Sequence, residues 1–272
     1  MKNRINASMV VFGVAFLAHA GSSMANISTN PVTSALNTLT VAGYTDTGTS
    51  GALVKATGTA ANGCYSINSA SCTPELVWYS GGSGYGLTST QSDRSSPNHA
   101  LDNNINKESL LINFGAASKQ LDKVTIGWNG GYDTDITVLA WKPSDYMNPA
   151  NPVVAAPVFG ATTKYADLVG LGWSLVGNYA NLAPSVAKSV NITNPVSSSY
   201  WLVMAYNSAF SAYTPSDRSE TNATITPLDY GKFYSVSYSD GTKNRVPEPS
   251  TALLLGAALF GLIGQRSRRL KA

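Results

Sequence analysis

Apolar residues in this chain recur at every second position over short runs, and a period of two admits β-strands and little else. Leu110, Ile112 and Phe114 alternate, as do Val124, Ile126 and Trp128, then Ile136, Val138 and Ala140. Near the end, Tyr234, Val236 and Tyr238 alternate with Ser235, Ser237 and Ser239. Successive side chains of a strand point to opposite faces, so each run offers one set to a core and the other to water. Leu76–Tyr79 and Trp201–Tyr206 are continuously apolar, the mark of strands buried on both faces. Gly, Asn, Pro and Asp break the runs, as at Asn129-Gly130-Gly131 and Asn148-Pro149, and no sustained helical period lies between them. Many short strands with turn residues between them predict an all-β ectodomain, a single jelly-roll-like β-sandwich. We place it at residues 26–245 of the 272. The Thr-, Ser-, Ala- and Gly-rich stretch 26–59 reads as a flexible lead or an irregular first strand, and 143–166 as a proline-rich loop.

Both ends of the chain carry different patterns. Residues 1–25 read as a secretory signal peptide: Lys2 and Arg4 are basic, Met9 to Ala18 is apolar, and Ser23-Met24-Ala25 is a small-x-small site. Cleavage is expected between Ala25 and Asn26. At the other end, residues 246–272, Pro247-Glu248-Pro249 precede an apolar stretch at 251–264 and a basic tail at 265–272 holding Arg266, Arg268, Arg269 and Lys271. Fourteen helical residues reach roughly 20 Å, whereas a bilayer core is about 30 Å thick. A short transmembrane helix there is a marginal anchor that relies on snorkelling arginines. The basic cluster keeps its own end in the cytoplasm. The two prolines hold the outer flank extended. A weak anchor behind an extended tripeptide suits a processing site.

This three-part tail closely resembles the PEP-CTERM sorting signal of Gram-negative bacterial surface proteins, which the membrane protease exosortase reads. The resemblance implies export through the Sec translocon, trimming by signal peptidase, transient anchoring in the inner membrane, and exosortase-dependent transfer to the outer surface or extracellular matrix. Further blocks, LVWYSGGSGYGLTS (76–89), PNHALDNN (97–104), VTIGW and DTDITVLAW within 124–141, GWSLVGNY (172–179) and SSSYWLVMAYNSAF (197–210), resemble a family of exosortase-dependent surface proteins. The Ala100-Leu101-Asp102-Asn103 turn before Leu110–Phe114, with the IGW and LAW strands, resembles galactose-binding jelly rolls of the discoidin type. That last likeness implies a fold and carries no function.

The charge balance excludes one class of partner. Of 18 basic residues, Lys2, Arg4, Arg266, Arg268, Arg269 and Lys271 lie in the terminal segments. Setting these six aside leaves 12 basic against 15 acidic residues, Glu248 included, a balance of −3. Such an ectodomain has no electrostatic hold on nucleic acid. Only 12% of residues are charged, against about 25% in ordinary soluble proteins, so solubility rests on Ser, Thr, Asn and Gly.

Few residues offer chemistry. Cys64 and Cys72 are the only cysteines, and an isolated pair in an exported chain predicts a disulfide. His99 is the only histidine outside the signal peptide, which leaves a histidine-based zinc site without ligands. No Gly-x-Ser-x-Gly elbow accompanies it, so His99 is expected to order the turn before Asp102. Asp102, Asp133 and Asp135 are candidate oxygen ligands for a structural Ca2+, and no other cofactor is indicated. Trp128 and Trp141 read as core plugs, whereas Tyr85 and Tyr132, set among glycines, are candidate sugar contacts. The expected function is a non-enzymatic structural or adhesive surface protein with weak affinity for exopolysaccharide. The alternative is a secreted hydrolase acting on that polymer through a carboxylate pair.

Overall fold

The alternating runs become strands of two antiparallel sheets that pack face to face. The structure, a computed structural model, describes residues 31–142, 156–191, 195–210 and 228–240. The signal peptide with Ala25 and Asn26, and the tail with Pro247, Glu248, Pro249, the helix expected at 251–264 and its basic stop, lie outside these residues. Among the described residues no helix is long and apolar enough to cross a membrane.

One sheet has eight strands. Its path runs β11 (Ala187–Ser189), β8 (Lys119–Trp128), β14 (Tyr230–Asp240), β5 (Gly84–Thr88) and β4 (Glu75–Tyr79). β1 (Val32–Ala35) and β6 (Leu101–Asp102) also pair with β14, and β12 (Ser197–Ser198) pairs with β8. The six-stranded sheet runs β10 (Trp173–Tyr179), β9 (Ile136–Trp141), β13 (Tyr200–Ala205), β7 (Glu108–Asn113), β2 (Thr40–Thr45) and β3 (Val54–Lys55). From β7 onward the chain crosses repeatedly between the sheets, so strands from distant parts of the sequence lie side by side. The sandwich expectation holds.

The core between the sheets is the inward half of each alternation. Leu110 and Ile112, Val124 and Ile126, Ile136, Val138 and Ala140, Trp201 and Val203, and Phe233 and Val236 form one cluster. Register fixes this: Trp201 sits opposite Ile112 on one side and Ala140 on the other. A slip of one residue would turn the whole set outward. Fully burying each large aliphatic or aromatic side chain stabilises by about 1.5–3 kcal/mol.

The six-stranded sheet is buried on its outer face as well, which explains the unbroken apolar sequence of β13. Leu111, Leu139, Trp141, Leu202 and Met204 point away from the first core and pack under the segment 156–172. Phe159 meets Tyr44 edge-on at 4.6 Å and stacks on Trp173 at 6.1 Å. Tyr165 is buried, and its hydroxyl donates to Ser109 Oγ at 2.9 Å. Trp141 plugs this second core against Trp173, as expected of a core residue. The described part of the 26–59 lead is not loose chain: it supplies β1, β2 and β3, and β2 pairs with β7 from Thr40 to Thr45.

The cysteine pair closes as expected. Cys64 and Cys72 form a disulfide across a turn that also pairs Gly63 with Thr73. The Glu75 carboxylate seats that turn by accepting Tyr65 N at 3.1 Å, Ser66 N at 3.0 Å and Ser66 Oγ at 2.8 Å. On chain-entropy grounds the crosslink contributes about 2–3 kcal/mol.

Candidate functional site

Side chains with chemistry gather on two adjoining parts of the sandwich, an acidic end and an aromatic patch on the outer face of the eight-stranded sheet. The link between them is the turn Asn129–Asp133. Gly130 and Gly131 have φ of +66° and +82°, a left-handed conformation that glycine adopts without strain. Asn129 locks the turn, with Oδ1 accepting Gly131 N at 3.1 Å and Nδ2 donating to Tyr132 O at 2.7 Å. Tyr132 is thereby held out at 48% exposure, its ring 5.1 Å from that of Tyr230.

The turn delivers Asp133 and Asp135 beside Asp229, the residue that precedes β14. Ligand-type oxygens of these three lie within 4.8 Å of one another. Backbone donors fix them: Thr134 N reaches Asp133 Oδ1 at 2.9 Å, Asn181 N reaches Asp135 Oδ1 at 2.7 Å, and Asp135 N reaches Asp229 Oδ1 at 2.7 Å. Asn103 completes the group. Its Nδ2 donates to Asp229 Oδ2 at 2.8 Å and to Tyr206 O at 2.9 Å, while its Oδ1 accepts Asp229 N at 2.9 Å. The donor set is hard oxygen, the type Ca2+ prefers. Burial, then the neighbouring Asp135 and Asp133 charges, pushes the Asp229 carboxyl up to about 8.

Asp102 does not join this set. It lies in a second buried group with Asp93 and Glu108, where Glu108 Oε2 accepts Asp102 N at 3.2 Å. Asp93 Oδ2 accepts Ser89 N at 3.2 Å and Thr90 N at 2.9 Å. Asp102 Oδ1 accepts Asn104 N at 3.0 Å, but among the described residues the sealed Oδ2 has no hydrogen-bond partner. Burial, with help from Asp93, pushes Asp102 up to about 8. Burial and the charges of Asp102 and Asp93 hold Glu108 well above the carboxylate range.

The aromatic patch depends on glycines that let loops lie flat on the sheet. A Cβ on Gly86 would stand 2.1 Å from His99 O, and one on Gly127 would stand 1.9 Å from Gly82 O. His99 therefore rests on β5, its ring 5.2 Å from Tyr79 and 5.5 Å from Trp128. A hydrogen bond to the Ser95 backbone also ties it to the turn before Asp102, as the sequence suggested. Lys232 projects between these rings, Nζ lying 3.5 Å from the Tyr79 centroid and 4.5 Å from that of Trp128. The residue is 4% exposed, and among the described residues Nζ has no ion-pair or hydrogen-bond partner. Nζ itself is not fully sealed from solvent. Desolvation pulls its pKa down to about 8. Cation–π contact with desolvated rings returns about 2 kcal/mol, less than the several kcal/mol that full burial of an ion costs.

Two aromatic expectations change. Trp128 is not a core plug: alternation with Val124 and Ile126 would turn it inward, but the ladder to β14 skips Gly127, so Trp128 pairs with Lys232 on the outer face, half-buried against His99 and Lys232. Tyr85 does not stand free among glycines. It lies within β5, 4.9 Å from Trp78, and packs on the margin of the main core. Asp229 and Lys232 carried no local signal in the sequence, since β14 reaches its partners only after the chain has crossed between the sheets.

Residues 245–269 match the family model of the PEP-CTERM protein-sorting motif. The chain carries a PEP-CTERM sorting signal. The motif implies processing by exosortase and export to the cell surface, in agreement with the reading of the tail. The match covers the C-terminal region and does not extend to the core blocks. No curated protein and no solved structure matches the chain.

The acids of this PEP-CTERM chain make its stability pH-dependent. A carboxyl whose folded pKa lies above its unfolded value near 4 holds its proton more tightly when folded. That stabilisation is complete below the unfolded value and is lost as pH rises through about 8, the position of Asp102 and Asp229. His99 and Lys232, both lowered, act with the opposite sign, His99 below pH 6.5 and Lys232 above about 8. Between pH 6.5 and 8 the acids stand alone. In chelator, the melting temperature should fall by several degrees across that window, and Asp229→Asn should flatten the slope. A profile flat in the wild type would contradict this.

Proposed function

We propose that the ectodomain is a non-enzymatic structural or adhesive module of the outer surface or matrix, with weak affinity for exopolysaccharide. The observation that carries the reading is Tyr132, a ring held half in water by a rigid glycine turn beside acidic and amide groups. An aromatic face next to oxygen-rich side chains suits a sugar ring. The buried carboxylates support the non-enzymatic side, because Asp93, Asp135, Asp229 and Glu108 accept backbone N–H groups and act as structural acceptors. Tyr132→Ala should lower retention on the organism's own exopolysaccharide while leaving the melting temperature within a degree or so, since the ring is exposed. Unchanged retention would remove Tyr132 from the proposal.

The same reading gives Asp133, Asp135 and Asp229 a structural Ca2+, with Asp102 outside the set. Three crowded carboxylates are relieved by a proton or by a cation, and the two solutions differ in pH dependence. With Ca2+ bound, the melting temperature should rise relative to chelator, most at pH 8, where protons no longer help. Equal curves with and without Ca2+ at pH 8 would leave proton sharing as the answer.

Delivery is governed by the tail. In this reading Val246–Ser250 is presented on the periplasmic side, because the arginines favour the cytoplasm for the far end, and a sequence whose two prolines disfavour helix suits a protease groove. Glu248 supplies the one charge in that window. Replacing Pro247-Glu248-Pro249 by three alanines should leave export intact and retain the full-length chain in the inner membrane. Arrival of that variant at the surface with wild-type mature mass would refute the processing step.

A further inference from the structure

We propose that the outer face of the eight-stranded sheet around Lys232 recognises the carboxylate of a uronate residue in an acidic polysaccharide, with Trp128 and Tyr132 beside the sugar ring. The proposal rests on the carbohydrate reading above and adds a ligand class and a second binding residue. Two observations carry it. First, Lys232 keeps its stem buried and its ammonium tip at the surface, with rings on the protein side and no carboxylate paired to it among the described residues. An ammonium placed this way touches solvent and has no anion beside it among the described residues. Second, the patch is continuous with the exposed ring of Tyr132: the Gly130 Cβ position lies 2.8 Å from the Trp128 ring and 3.2 Å from Tyr132. An aromatic track therefore leads from Tyr132 past Trp128 to the ammonium. A single ammonium matches a monoanion, and flat rings match the C–H face of a pyranose. A uronate combines both.

The groups facing the ammonium are Tyr79 from β4, His99 from the 95–100 loop and Trp128 from β8. Burial raises the phenol of Tyr79 above 10 and lowers His99 below 6.5, so neither titrates between pH 7 and 9. Lys232 does, near 8.

The test uses the mature exported protein with polygalacturonate as the acidic probe, dextran as the neutral one and dextran sulfate as the sulfated one. Wild type should prefer polygalacturonate to dextran, and that preference should decline between pH 7 and 9. Lys232→Met should weaken polygalacturonate binding about tenfold or more, leave dextran binding unchanged, and keep or raise the melting temperature, because a desolvated charge is removed. Lys232→Gln, with similar reach and no charge, takes its place should the methionine variant fail to fold. Equal binding of polygalacturonate and dextran, unaffected at Lys232, would overturn the uronate assignment while leaving the carbohydrate reading intact. Binding of dextran sulfate alone would overturn it too, and binding of no polymer would end both.

Discussion

A buried carboxylate without an ion-pair partner among the described residues holds one end of this sandwich together. Asp229 stands where β14 begins, and its two oxygens accept Asp135 N and Asn103 Nδ2. Through Asn103 it also reaches the carbonyl of Tyr206 at the end of β13. Segments up to 126 residues apart in sequence thus meet on one side chain. Hydrogen bonds to a charged acceptor contribute about 1.5–3 kcal/mol each, while burial penalises the charge itself. The result is an end of the molecule whose geometry is well determined and whose protonation is finely balanced. Tyr132 inherits its position from this arrangement, since the turn that carries it leads directly into Asp133.

The sequence pattern specified the sheets better than the site. Alternation in β7, in β9 and in β8 as far as Ile126 translated directly into inward and outward faces, because period two is a local property of the strand. The continuous run of β13 marked a strand buried on both faces, although the segment 156–172 that covers it had no comparable signal. Site residues depend on register between strands remote in sequence. Asp133 and Asp135 were legible as a pair two residues apart, and Asp229 was not. Trp128 was misread for a related reason: its period-two place after Val124 and Ile126 is inward, and only the register shift against Lys232 and Phe233 turns it outward. Tyr85 looked like a loop residue amid glycines because Gly84 and Gly86 serve close backbone approach within a strand rather than a turn.

The terminal segments and the ectodomain answer to different constraints. Sorting is carried by a short C-terminal motif whose parts lie in fixed order. The ectodomain must then persist outside the cell with few charges, and it does so with a disulfide, a double-sided core and carboxylates that cap backbone donors. Several of its basic residues are engaged, Lys107 with Asp46, Lys119 with Asp240, Arg94 with Tyr65 O and Lys188 with Ala180 O, which sets Lys232 apart.

Irregularity in β14 is what puts that lysine on the outer face. The ladder to β8 shifts register between Lys232 and Phe233 and again between Phe233 and Ser235. A regular strand from Tyr230 onward would have to reconcile Phe233 in the core with Val236 in the core, three positions apart, which period two forbids. The bulges resolve the conflict by admitting an extra residue, and they tilt the strand locally. Gly231 accommodates the tilt, since a Cβ there would stand 2.9 Å from Thr134 Cγ2. The core thus dictates where Phe233 and Val236 sit, and the outward position left to residue 232 is a consequence of that packing. Nothing in the core requires that position to hold a lysine. An apolar residue would fill the space between Tyr79 and Trp128 without the desolvation of an ammonium, so the charge is the feature that folding alone does not explain.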